Sequence, residues 1–425
     1  MSITDLPLQP FRKRQDLFYP DLERNIAKVT PSMLSLLTDK FSEERTLQKY
    51  LAKKDAWKEL QHSSIENVVM IILDAVGYEQ FMHSTKLFSQ NFSSHGLVLS
   101  SVFPSITSAC LVSLYHGRMP AEHGIVGHKI MIPQIGNIVD TLKMNTISNW
   151  KTTLPEVGVN VRQWLWTDFP LAGEEETIER VQLIENHIAN TGLSYLTNRK
   201  RSAIGYSSHV DCFSAAKRIL ETKTTDKKVL DIYVGSTDHI AHRYTPESPA
   251  LTNELRNIEH LFFSWLDDLD PSILEKTAIM FTADHGQETL DNNKTIAISR
   301  EEEEELRELI TYRGGSGRVI HLYAKEGKID ELFEWWDERL GSQGEIVTVL
   351  DYPSLMGDKA ASQQVRNRLG DMQIVLGEGT ALYFRHTGYF DEVYNLGLNA
   401  THGSLSKNEL LVPLFFGRAD TLRNF

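Results

Sequence analysis

The sequence predicts an α/β protein whose centre is a mainly parallel β-sheet. Two observations carry that expectation. From about residue 63 onward, short aliphatic runs alternate with longer amphipathic ones, the pattern of successive βα units. The short runs are almost continuously β-branched and aliphatic, as in strands covered on both faces.

The elements follow in chain order. Residues 1–62 read as a helical, polar extension ending in the mixed-charge stretch FSEERTLQKYLAKKDAWKEL. Four runs then read as strands: NVVMIIL (67–73), VLDIYVG (229–235), TAIMFT (277–282) and LLVPLFF (410–416). Between about 295 and 380 the texture changes. SREEEEELRELI opens a helix with a serine at its start. RVIHLYA follows as a strand, KIDELFEWWDERL as an amphipathic helix and EIVTVL as another strand. This reads as a small α/β insertion within a domain that spans 63–425. The glutamates at 301–305 spread around a helix and suit a solvated face rather than a metal site. No internal repeat or low-complexity linker interrupts the chain.

Composition narrows the class. With 425 residues, 41% of them hydrophobic, the chain is long enough to bury a large core. A net charge of −13 argues against nucleic acid or an anionic membrane as the main partner. The first thirty residues lack the apolar stretch of a secretory leader, and VVMIIL (68–73) is too short to span a bilayer. Two cysteines, Cys110 and Cys212, do not make a disulfide framework. A cytoplasmic protein with a small-molecule partner is expected.

The chemistry lies in where the acidic residues fall. Asp74 follows the first strand in LDAVG; Asp238 lies just past the second in STDHIAH. Asp284 and His285 follow the third in ADHG, and His402 sits in THGS shortly before the fourth. The carboxyl ends of parallel strands line one crevice, so these segments meet there. Clustered carboxylates repel one another unless a cation neutralises them. An Asp/His set without thiolates suits Zn²⁺, with Mn²⁺ or Fe as poorer candidates. Asp238 and His242 are four apart and share a face if a helical turn begins there. The ligands divide into Asp, His and a distant His for one ion, and Asp, Asp and His for a second.

The segment FPSITSACLVSLYHGRMPAEHGI (103–125) places a hydroxyl cluster before a helix-like run of small and apolar residues. On residue type alone, Ser105, Thr107 and Ser108 are equal candidates for a nucleophile, and a plain helix cap is the competing use. Two metals roughly 3.5 to 4 Å apart activate such a hydroxyl and clamp a transferring phosphoryl group.

In this order, LDAVG, FPSITSACLVSLYHGRMPAEHGI, STDHIAH, TADHG and THG resemble the alkaline phosphatase superfamily. They are most similar to the type I phosphodiesterase/nucleotide pyrophosphatase family, over about residues 65–416. That resemblance implies a three-layer α/β/α sandwich, two Zn²⁺ ions and a threonine that forms a covalent phospho-enzyme. The motif threonine falls on Thr107. One zinc is then assigned to Asp238, His242 and His402, and the other to Asp74, Asp284 and His285 with Thr107 as a further ligand. The implied reaction is hydrolysis of a phosphodiester or pyrophosphate.

Two departures bear on the substrate. Relatives usually carry an asparagine a little after HGI, where this chain has HGIVGHKI, so His128 or Lys129 is the candidate to contact the phosphoryl oxygen. STDH replaces a more acidic or proline-bearing segment, which leaves His239 a bystander; His123 supports the loop. A phosphomonoesterase or phosphonate hydrolase on the same core is the alternative, and extra cations such as Lys129, Arg162 or Arg243 in the pocket favour it. A non-catalytic binding protein of the same fold is the third reading. RQWLWTDFP (162–170) offers either a stacking platform for a base or buried aromatics.

Overall fold

The computed structural model describes residues 6–149, 151–166, 178–189, 192–197, 202–222, 227–384 and 397–425. The main sheet has seven strands, numbered here in chain order. They are β1 (Asn67–Leu73), β2 (Gly96–Ser100), β3 (Ile178–Glu185), β4 (Ser202–Tyr206), β5 (Lys227–Val234), β6 (Thr277–Thr282) and β7 (Leu411–Arg418). Across the sheet the order is β2-β7-β6-β1-β5-β3-β4. From β6 to β4 the neighbours are parallel, and β7 runs antiparallel to both of its neighbours.

The strands expected at 67–73 and 277–282 form over those residues, and the other two shift by one or two positions. β2, β3 and β4 do not announce themselves as long aliphatic runs. β3 reads IERVQLIE in part because Arg180 pairs inside the sheet: its Nε lies 2.8 Å from Asp231 Oδ2 on β5, both buried.

Every residue of β1 is buried, so both faces of the sheet are covered. Three helices matter below: α1 (Thr107–His116), α2 (Ser236–Tyr244) and α3 (Pro249–Asp268). On one face Phe262 of α3 packs edge-on against Phe281 of β6 at 4.8 Å between ring centres. On the other, Tyr115 of α1 accepts a hydrogen bond from Gln182 Nε2 of β3 at 2.9 Å. The fold is a three-layer α/β/α sandwich. The segment before β1 contributes short helices, including Val29–Leu34 and Asp55–Gln61, and buries Phe11, Met33, Leu47 and Trp57 in the main core.

A second, antiparallel sheet combines Ile310–Ser316, Val319–Ala324, Met372–Leu376 and Gly344–Thr348, in that spatial order. The helices Arg300–Leu309 and Ile329–Leu340 share its core through Leu306, Leu322, Trp336 and Ile374. Ser299 and Glu302 form a capping box at the first helix. Of the glutamate run, Glu301, Glu304 and Glu305 are exposed, Glu303 is buried and Glu302 pairs with Arg339 at 3.0 Å.

Candidate active site

Because β6, β1 and β5 are adjacent and parallel, whatever follows their carboxyl ends arrives at one edge of the sheet. Asp74 follows β1, and Asp284 and His285 follow β6. α2 begins after β5 with Asp238 in its first turn and His242 one turn later, on the same face. β7 runs the other way, so the chain leading into it brings His402 to the same edge.

Two groups of side chains converge there. Asp74, Asp284 and His285, all buried, hold ligand-type atoms within 4.8 Å of one another; Asp238, His242 and His402, partly buried, do likewise. These are the two sets the resemblance assigns to two ions.

All three histidines are oriented alike. His285 Nδ1 lies 3.0 Å from the Gly286 carbonyl, His242 Nδ1 2.7 Å from that of Ala400, and His402 Nδ1 2.9 Å from that of Ser105. A carbonyl only accepts, so each Nδ1 carries a proton and each Nε2 is turned to the site. His242 Nε2 is 3.2 Å from Asp238 Oδ1, and His285 Nε2 is 3.5 Å from Asp74 Oδ1 and 3.4 Å from Asp284 Oδ2.

The electrostatics call for a cation. Burial, reinforced by Asp284 and Asp238, pushes the Asp74 carboxyl well above its usual range. Burial also raises Asp284. Burial, with His285 and His242 beside it, pushes His402 down and keeps it neutral. Among the described residues, Asp74 Oδ1 and Asp284 Oδ2 are buried without a hydrogen-bond partner. Two orphaned carboxylate oxygens beside imidazole nitrogens, with no thiolate, fit a divalent cation.

The hydroxyl cluster sorts itself by direction. Ser105 Oγ donates to the Ser404 carbonyl at 2.8 Å, and Ser108 Oγ lies 3.3 Å from the Gly127 carbonyl. Thr107 Oγ1 turns into the cluster, 3.1 Å from His285 Nε2. It occupies the first turn of α1, where Ile106 at the N-cap makes no side-chain cap. The first-turn amides thus face the cluster uncapped.

Three contributors were not legible as site residues. The Tyr233 hydroxyl on β5 donates to Asp74 Oδ2, and Gln287 Nε2 donates to Asp238 Oδ1 at 2.5 Å. Lys143 lines the cleft beside Thr107. Tyr233 did leave a trace: it is the hydroxyl-bearing side chain within VLDIYVG.

Two cavities adjoin Thr107. The larger, about 790 Å³, is bordered by His128, Lys143, Asp238, His242, Arg243 and His402. The smaller, about 290 Å³, shares Thr107 and Asp238 with it, adds Asp74 and continues past Tyr115, Gln182 and Tyr233. His128 thus lines the cleft, with Nε2 3.0 Å from Asp140 Oδ1. Lys129 is buried on the strand Lys129–Ile132, its Cα opposite Asp140, and lines neither cavity. Burial would raise Asp140, yet His128 and Lys129 together hold it well below the usual carboxylate range.

Arg162 donates instead to the Tyr195 carbonyl at 3.0 Å. His239 is exposed at the cavity mouths and joins neither ligand group. His123 is buried in its loop, with Nε2 2.9 Å from Ser113 Oγ. Trp164 is buried and Trp166 lies under the Arg368 guanidinium at 4.3 Å, so neither stacks in the cavities. Residues 167–170 of that run lie outside the described residues.

Among the described residues no helix is long and apolar enough to cross a membrane. No curated protein matches the chain at a significant level. Solved structures do. Human ectonucleotide pyrophosphatase/phosphodiesterase 5 is 14% identical, covering 82% of this chain and 87% of its own, with a TM-score of 0.60. The murine protein gives the same coverage at 14% identity and 0.58. Phosphonoacetate hydrolase from Sinorhizobium meliloti 1021, in complex with phosphonoformate, is 16% identical over 85% of this chain and 95% of its own, at 0.55. At such identities the likeness establishes the fold. The family model for type I phosphodiesterase / nucleotide pyrophosphatase matches residues 68–404, a stretch that holds every converging residue described above. The chain belongs to the type I phosphodiesterase/nucleotide pyrophosphatase family of the alkaline phosphatase superfamily.

Proposed function

We propose that this protein hydrolyses a phosphoric ester or anhydride of a small molecule through a covalent phosphothreonine on Thr107. The observation that carries the reading is the direction of Thr107 Oγ1, the hydroxyl of its cluster that faces the orphaned carboxylates and His285. Asp74, Asp284 and His285 would hold one divalent cation, with Thr107 beside it, and Asp238, His242 and His402 a second. Bound there, the two cations supply charge neutralisation and make a hydroxyl easier to deprotonate. The donor set favours Zn²⁺, with Mn²⁺ the poorer fit.

The chain's own groups do the rest. The three imidazoles are locked by their Nδ1–H bonds and keep each Nε2 aimed inward. The first-turn amides of α1 offer donors to phosphoryl oxygens. Thr107 Oγ1 forms a bond to phosphorus as the bond to the leaving oxygen breaks in line. Water then attacks the phosphothreonine, the P–Oγ1 bond breaks, and the hydroxyl is restored. Metal analysis of the purified chain, with hydrolysis of mono-, di- and pyrophosphate substrates before and after chelation, tests this. Full activity in a chelated, metal-free sample would sink it.

A second reading, hydrolysis of a monoester or phosphonate, is supported by Arg243 and Lys143 at the larger cavity, since a dianionic group needs added cations. The faster of a chromogenic monoester and diester decides between them. The proposal includes a cytoplasmic setting, supported by two buried, unpaired cysteines, Cys110 and Cys212. It also includes a division into a 1–62 extension and a 63–425 catalytic domain with an insertion at about 295–380. Nucleic acid and membrane have no part in it.

A further inference from the structure

We infer that the smaller cavity receives the substituent a diester substrate keeps on phosphorus, and that this group is compact, uncharged and carries a hydrogen-bond donor. This rests on the hydrolase reading and narrows it to diesters. Thr107, Leu111 and Tyr115, spaced four apart on one face of α1, form a continuous wall of the cavity. A group lodged along that wall lies on the nucleophile's own side of phosphorus. The departing oxygen stands in line on the far side, so the cavity holds the retained group.

Size and lining specify it further. At about 290 Å³ the cavity is just below the roughly 300 Å³ at which sites for drug-sized ligands begin, so it accepts about one ring. Leu111, Ile184, Ile188 and Leu193 make its apolar walls. Gln182 is 1% exposed and donates Nε2 to the Tyr115 hydroxyl. Among the described residues its Oε1 has no partner, so a ligand's O–H or N–H completes it. Glu185 also lines the cavity while one of its oxygens accepts from the amides of Gly235 and Ser236 at 3.1 Å each. A carboxylate there repels a second anion.

Three p-nitrophenyl phosphodiesters that share the p-nitrophenolate leaving group test this on the zinc-loaded full chain: phenyl, 4-hydroxyphenyl and 4-carboxyphenyl. The expected order in kcat/KM is 4-hydroxyphenyl above phenyl by about fivefold or more, with 4-carboxyphenyl slowest. Gln182→Leu should bring the hydroxyphenyl-to-phenyl ratio to about one. A wild-type ratio near one, or a preference that survives Gln182→Leu, overturns the inference. Should that variant fail to fold, Leu193→Trp fills the cavity from its apolar wall. It should then slow both the phenyl and the 4-hydroxyphenyl diester relative to methyl p-nitrophenyl phosphate, and equal effects on all three overturn the inference. If no diester is hydrolysed but a monoester or pyrophosphate is, the narrowing to diesters fails; if none is, the hydrolase reading fails; in both cases calorimetry decides the cavity separately. 4-Hydroxyphenylphosphonate should bind about fivefold more tightly than phenylphosphonate, and equal affinities overturn the assignment.

Discussion

Replacing Tyr233 by phenylalanine removes one hydroxyl and almost no volume, so its effect reports on a single interaction. That hydroxyl donates to Asp74 Oδ2, while Asp74 Oδ1 has no hydrogen-bond partner among the described residues. Tyr233→Phe therefore strips a buried carboxylate of the tyrosine donor and frees its orientation. A hydrogen bond to a charged group contributes about 1.5 to 3 kcal/mol. A partner that orients a metal ligand is worth about 10- to 100-fold in metal affinity or activity. The expected outcome is a loss of zinc affinity of that size at the Asp74 group, read by competition with a chromogenic chelator, and a parallel fall in turnover of bis-p-nitrophenyl phosphate. Far-UV circular dichroism should stay unchanged, since the ring still fills its place. A variant that binds zinc within twofold of wild type and turns over at the same rate would refute the role given to this hydroxyl.

Further outcomes follow from the same geometry. Thr107→Ala should lower turnover at least about 10³-fold while metal content holds, whereas Ser105→Ala costs about 1 kcal/mol of stability and little rate, because Ser105 Oγ donates to a carbonyl. Asp238→Ala and Asp284→Ala should each reduce bound metal from about two ions to about one per chain, counted by atomic emission. His321 lies wholly buried in the second sheet beside Gln373, and burial pushes its pKa down to about 3. Between that value and the unfolded one near 6.5 the unfolded chain binds the extra proton, so stability falls as pH drops through this window. Urea unfolding at pH 4.5 should show a loss of about 2 to 3 kcal/mol relative to pH 7 from this group, and the loss should shrink in His321→Gln. An identical pH profile for the variant would exclude His321 as its source.

What the sequence determined by itself follows from local rules. Aliphatic runs covered on both faces mark β1, β5, β6 and β7; the parallel β1, β5 and β6 put the residues after them at one edge, and the antiparallel β7 brings there the residues before it. The convergence of Asp74, Asp238, Asp284, His285 and His402 was therefore legible, as was the shared face of Asp238 and His242. Strands whose polar residues pair across the sheet, such as Arg180 with Asp231, were not, because the partner lies 51 positions away.

Direction was decided only by the tertiary structure. Ser105, Thr107 and Ser108 are equivalent by residue type, and what separates them is a carbonyl of Ser404 or Gly127 within reach. The Nδ1 protons of His242 and His402 are set by carbonyls from other segments, and the Tyr233 and Gln182 contacts join strands and helices distant in the chain. Lys129 and Lys143 differ in the same way: one turns inward to the Asp140 side of its sheet, the other borders the cleft. Periodicity tells which face of an element is buried. The aim of a polar side chain depends on which partner the fold brings within 3 Å of it, roughly the length of a hydrogen bond.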